Sequence, residues 1–100
     1  MDIYPASLVK SIAGRDKNNY FAVMEIIDDN YVLISDGRGR TTEKPKRKKI
    51  KHIVDMECEL LRIKEKMNEA KKISNSDIRK AIKTALVDLG LKDFDEDKES

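Results

Sequence analysis

Eight cations fall between positions 38 and 52: Arg38, Arg40, Lys44, Lys46, Arg47, Lys48, Lys49 and Lys51. Ammonium and guanidinium groups held this close repel one another, and the partner that relieves the repulsion is a polyanion. If six of them each neutralised one phosphate, the log–log salt dependence of association would have a slope of roughly −4 to −5. The plainer reading is a solvated edge strand whose lysines deter strand-to-strand aggregation. A second polar stretch lies between the first two apolar runs, where Gly14 permits a left-handed turn and Arg15 and Lys17 present cations at its tip. Asp16 can bond back onto this loop, and Tyr20 beside it is the ring best placed to stack on a base.

Catalytic chemistry finds little support. His52 is the only histidine, follows the lysine run and has no acid or nucleophile at a suggestive spacing, so a strand-end or phosphate contact suits it better. The run Gly37-Arg38-Gly39 lacks the third glycine of a dinucleotide fingerprint, and no phosphate-binding GKS or GKT sequence occurs. Asp28-Asp29-Asn30 is too short for a calcium loop and reads as a turn. The single cysteine, Cys58, rules out an intramolecular disulfide and a CxxC metal site. The reading is therefore a non-enzyme with no catalytic residues, no metal and no cofactor.

Across all 100 residues the net charge is only +2, but its distribution is uneven. Residues 1–37 carry three cations against six acids, residues 38–52 eight against one, and residues 53–100 ten against twelve. A basic segment between two mildly acidic ones implies a polyanionic partner if the fold holds the segment in place. Charged residues make up 40% of the chain, well above the roughly 25% of an average globular protein, so much of it must face water or such a partner. No apolar run approaches the roughly 20 residues that span a bilayer, and the amino terminus does not resemble a signal peptide. These features point to a cytoplasmic protein with no membrane partner.

Short apolar runs predict strands at 8–12, 20–27 and 31–35, with the turn 28–30 joining the second and third. Residues 36–45 have no periodicity and read as a loop. A fourth strand is expected over 46–53 with its lysines outward, and a short fifth near 52–54. In the second strand Ala22, Met24 and Ile26 form an unbroken apolar set, which predicts that this face points into a barrel. The other set, Phe21, Val23 and Ile27, is still apolar enough to require a covering layer. Met56, Leu60, Ile63, Met67 and Ala70 then fall at helical spacings, predicting a helix from about 57. Ser74 to Asp77 approximates a capping box for a second helix carrying Ile78, Ala81, Ile82, Ala85, Leu86 and Leu89, stopped by Gly90. The organisation expected is a barrel over 1–55, a helical hairpin packed on or beside it over 56–91, and a disordered charged tail over 92–100.

The run Leu8-Val9-Lys10-Ser11-Ile12-Ala13-Gly14-Arg15-Asp16-Lys17, followed by a strand containing Val23 and Ile26, resembles the KOW motif of ribosomal proteins and transcription elongation factors. The stretch from Ile26 through Asp36-Gly37 and on to the lysine-rich strand ending at Ile53 is similar to the KOW-containing large-subunit ribosomal proteins of archaea and eukaryotes and their short bacterial relatives. Asn18 stands where the motif usually has a second glycine, a position asparagine tolerates better than most residues. The resemblance covers residues 6–55 and not the helices. It implies a five-stranded SH3-like barrel of KOW type over those residues; with the helices read from periodicity, the chain is expected to be α+β, the barrel followed by a two-helix C-terminal extension. It also implies binding to RNA, ribosomal RNA in particular, in company with ribosomal proteins. The expected RNA-binding residues are Gly14, Arg15, Lys17, Tyr20, Arg38, Arg40, Lys44, Lys46, Arg47, Lys48, Lys49, Lys51 and His52. The competing function is a protein-interaction module that docks on transcription or translation machinery, its basic segment only steering the encounter.

Overall fold

The computed structural model describes residues 3–91; the expected charged tail over 92–100 lies outside them. Five strands form one antiparallel sheet: β1 (Ser7–Ser11), β2 (Tyr20–Ile26), β3 (Tyr31–Ser35), β4 (Lys46–Lys49) and β5 (Ile53–Glu59). Two helices follow, α1 (Leu61–Asn68) and α2 (Asn75–Asp88), making the chain α+β. The strand order is β4-β3-β2-β1-β5, and a 3₁₀ turn at Ile50–His52 carries the chain from one sheet edge to the other. No β4–β5 ladder occurs among the described residues, so the sheet is not closed by backbone pairing.

Each face of the sheet carries its own buried core, the helix-side one reaching β1, β2 and β5. On one face Val9, Phe21, Val23, Val32, Ile34 and Ile53 pack together with Ile3. Because β3 and β5 are not neighbours in the sheet yet share this cluster, the sheet is strongly curved. On the other face Leu8 and Ala22 pack beneath Ile63 of α1 and Ile78, Ala81, Ile82, Ala85 and Leu86 of α2. The helices thus supply the second layer that the apolar character of β2 demands.

The assignment of the two faces of β2 is reversed from the sequence expectation. Phe21 and Val23 enter the strand core, whereas Ala22 and Met24 lie toward the helices. Two apolar faces give alternation nothing to choose between, and size settles the matter: small Ala22 lets α2, with Ala81 and Ala85 on its buried side, approach the sheet. A β-bulge between Val23 and Glu25 makes Met24 the extra residue and changes the phase of the strand. Glu25 is therefore no interruption of the buried face, and Ile26 reaches the rim, 37% exposed.

The sheet also extends past the expected boundary at 55. β5 runs to Glu59, and its register against β1 jumps from Val9↔Asp55 to Ser7↔Glu59, leaving extra residues around Glu57. Glu57 takes a left-handed φ of 54° and donates its N–H to Asp55 Oδ1 at 3.0 Å. The separate strands expected at 46–53 and 52–54 are instead β4, the 3₁₀ turn and this longer β5. Met56 and Leu60 mislead because a spacing of four satisfies both a helical repeat and a strand repeat. Met56 and Cys58 pack toward the helix-side core from β5, and Leu60, the residue just before α1, is buried in that core.

α2 begins as expected. Ser74 Oγ accepts the Asp77 N–H at 3.0 Å, and the Asp77 carboxylate accepts the Ser74 N–H at 2.9 Å. Lys66 of α1 reaches the same carboxylate at 2.7 Å, tying the two helices together at that end. Lys66 and the backbone N–H of Ser74 together hold the Asp77 carboxyl well below its ordinary range, at about 2.

Candidate nucleic-acid interface

The pairing of β3 with β4 sorts the basic strand into two faces. Val32↔Lys48 and Ile34↔Lys46 share the strand-core side, whereas Tyr31↔Lys49 and Leu33↔Arg47 share the opposite side. On that outer side the Arg47 guanidinium lies 4.1 Å from the centre of the Tyr31 ring, a cation–π contact. Arg47, Lys49 and Lys51 are exposed and make no ion pair among the described residues.

Lys48 does not join this surface, contrary to the expectation of an outward lysine strand. It is 7% exposed, and its Nζ donates to the Ala13 carbonyl at 2.8 Å and lies 4.0 Å from Asp16 Oδ2. Its stem lies beside Val32 at the margin of the strand core, and its ammonium supports the β1–β2 loop from below. A Cβ added at Gly14, which has φ of 79°, would sit 3.5 Å from that ammonium. The loop therefore passes directly over Lys48, and its form needs a left-handed residue at two places. Gly14 supplies the first, and Asn18, at φ of 73°, supplies the second. Arg15 and Lys17 stand exposed at the tip.

Asp16 joins this loop to the basic segment. Besides Lys48, it faces Arg40 Nη2 at 3.8 Å, and only 14% of its side chain is exposed. Arg40 is therefore half-committed to an internal pair, whereas Arg38 and Lys44 are exposed with no ion pair among the described residues. Lys46 is half-buried.

The 36–45 loop has a defined shape. Asp36 Oδ1 accepts the N–H groups of Arg38 and Arg40 at 2.9 and 3.0 Å, and Ser35 Oγ donates to the Arg40 carbonyl at 2.7 Å. The start of α2 then holds it from outside. Asn75 Oδ1 accepts the Thr42 N–H at 2.8 Å, and Asn75 Nδ2 donates to Glu43 Oε1 at 3.0 Å. That last bond lowers the pKa of the exposed Glu43 carboxyl. One turn further along, Arg79 Nη1 donates to the Gly37 carbonyl at 2.7 Å. Gly37, buried at φ of 73°, leaves no room for a side chain: a Cβ there would lie 2.4 Å from the Asn75 carbonyl oxygen.

The other expected residues are placed differently. Tyr20 packs against the helix-side core, with Lys10 Nζ 5.7 Å from its ring centre, so its ring already has neighbours. His52 is half-buried at the end of the 3₁₀ turn, where its carbonyl accepts the Ile12 N–H at 2.9 Å. Sequence reasoning missed Tyr31, Asn75 and Arg79. Tyr31 could have been found by counting back through the 28–30 turn and pairing the third strand with the lysines. Nothing local signals that Asn75 and Arg79 would meet a loop more than thirty residues away.

Two shallow clefts flank the sheet. One, of about 380 Å³, lies beside β4 and is lined by Asp29, Asn30, Tyr31, Lys49, Ile50 and Lys51. The other, between β5 and the helices, contains Cys58, whose thiol is pushed up in pKa by burial and by the charge of Asp88. A thiol so placed stays protonated and is a poor nucleophile. No protein-family model matches this chain, and no curated protein matches it in sequence.

Proposed function

We propose that this chain is a non-enzymatic RNA-binding protein of the KOW type, an SH3-like barrel with a helical extension that acts in the cytoplasm on ribosomal RNA. One observation carries the reading: Arg47 and Lys49 on the edge strand β4 and Lys51 in the turn just after it stand exposed, Arg47 over the Tyr31 ring of β3, with no ion pair among the described residues. Cations that serve only solubility are usually interspersed with acids, whereas this outer side of β4 carries none. The neighbouring loops carry the exposed Arg15, Lys17, Arg38 and Lys44, and Asp16 links those loops through Arg40 and Lys48. Left-handed turns at Gly14 and Asn18 suit the KOW resemblance, and the core shared by β3 and β5 suits a barrel.

Phosphate contacts supply the affinity in this reading, and the shape held by Asp16 and α2 decides which folded RNA surfaces can reach the cations together. The test is binding of the full chain to structured ribosomal RNA fragments over a salt series, followed by fluorescence anisotropy. Replacing Arg47, Lys49 and Lys51 together by Gln should weaken binding and reduce the log–log salt slope by roughly 2 to 3. Unchanged affinity and slope refute the proposal. Sedimentation with ribosomes at low salt, and release at high salt, tests the ribosomal assignment.

A further inference from the structure

The cleft beside β4 has a composition that phosphate binding alone does not explain. It is lined by the exposed cations Lys49 and Lys51, by the half-buried Tyr31 and Ile50, and by Asp29 and Asn30 of the β2–β3 turn. The Asp29 carboxylate opposes filling the cleft with phosphates, so a phosphate there must sit at the two lysines.

The walls are fixed to each other by backbone bonds. Ile50 N–H donates to the Asn30 carbonyl at 2.8 Å, and Tyr31 pairs with Lys49 in the β3–β4 ladder. Asp28 Oδ1 accepts the N–H groups of both Asn30 and Tyr31, at 2.8 and 2.9 Å, and so fixes the turn. The Arg47 guanidinium lies over the ring, 4.1 Å from its centre. A site pre-organised in this way loses little conformational entropy when a ligand enters.

We infer that this cleft holds one unpaired nucleotide of the bound RNA, its phosphate at Lys49 and Lys51 and its base against Tyr31. The inference rests on the RNA-binding reading and deepens it, since it gives the surface a preference for RNA with an exposed base over a continuous duplex. Arg47 acts as a positioning residue, holding the ring and adding a planar cation to the stacking surface. Lys49 and Lys51 supply the charge.

The experiment compares a fluorescein-labelled octacytidylate with a blunt RNA duplex of the same length, using the full chain. Wild type should bind the single strand more tightly. Tyr31→Phe should leave that binding unchanged, and Tyr31→Leu should weaken it roughly 5- to 150-fold, the range that loss of one stacked base produces. Because no charge is removed, the salt slope should stay the same in both variants. Wild type binding neither of these RNAs nor the structured ribosomal fragments sinks the RNA-binding reading itself, whereas wild type binding the fragments but not the single strand, or binding the single strand with Tyr31→Leu unaltered, sinks only the nucleotide cleft. If Tyr31→Leu fails to fold, amide NMR of wild type decides: octacytidylate should shift residues 29–31 and 49–51, and shifts confined to other residues overturn the inference.

Discussion

Gly37 and Gly39 stand two residues apart in the same loop and should respond oppositely to an added methyl group. At Gly37 the backbone is left-handed, φ 73°, which costs an alanine about 1 to 2 kcal/mol. The new Cβ would also lie 2.4 Å from the Asn75 carbonyl oxygen, a backbone atom at the start of α2 that cannot turn aside. The loop must then lift from the helix. Lifting breaks the Arg79 bond to the Gly37 carbonyl, about 1.5 to 3 kcal/mol for a charged donor, and the Thr42 bond to Asn75, about 0.5 to 1.5 kcal/mol. Gly37→Ala should therefore lose about 3 kcal/mol or more. A methyl group at Gly39 would meet nothing within 4 Å, so Gly39→Ala should stay within about 0.5 kcal/mol of wild type. Urea and thermal denaturation followed by circular dichroism measure both, and the Tm of Gly37→Ala should fall by on the order of 10 °C or more. Equal stability of the two variants would refute the docking of this loop on α2.

Lys48→Met keeps the stem but removes the bond to Ala13 and the attraction of Asp16; it should cost about 1 to 2 kcal/mol in urea melts while leaving the salt slope of the proposed RNA binding intact. Lys49→Gln should do the reverse, sparing stability and lowering the slope by roughly 0.7 to 0.9. Ser74→Ala removes the α2 cap and should cost about 1 kcal/mol by the same melts. The Asp77 carboxyl is depressed in the folded chain to about 2 from an unfolded value near 3.8, so its contribution is whole above that unfolded value and is lost as pH falls toward about 2. Tm measured from about pH 5 down to about pH 2 should therefore fall less steeply for Asp77→Asn than for wild type.

The strand-rich first half, the 28–30 turn and the capped second helix were legible because each rests on neighbours in sequence: alternation, a short polar break between two apolar runs, a capping box. Three features were not. The faces of β2 carry nearly equal apolar character, so only the layer packed against each could tell them apart. The end of β5 was hidden because Met56 and Leu60 fit two periodicities at once. Lys48 looked like its neighbours, since composition records a charge without recording which way alternation turns it. Its register opposite Val32 is what takes it away from solvent, and that register depends on the turn at 28–30 and on the loop that follows Ser35.

The helical extension, which lies outside the KOW resemblance, bears directly on the basic surface. A curved sheet whose outer side presents Leu8 and Ala22 needs a cover, and α2 provides it by laying Ile78, Ala81, Ile82 and Ala85 across that side. Packing in that position brings the first turn of α2 against the base of the 36–45 loop, where Asn75 and Arg79 bond to the Thr42 amide and the Gly37 carbonyl. One placement thus completes the core and fixes the loop that carries Arg38 and Arg40. Asp16 extends the constraint to the β1–β2 loop through Arg40 and Lys48. The cations at positions 15, 17, 38 and 40 are in this way referred to a common frame, although their two loops are far apart in sequence. Loosening either loop would spread the same charges over many geometries, and a rigid polyanion would then gain only the average of their fields.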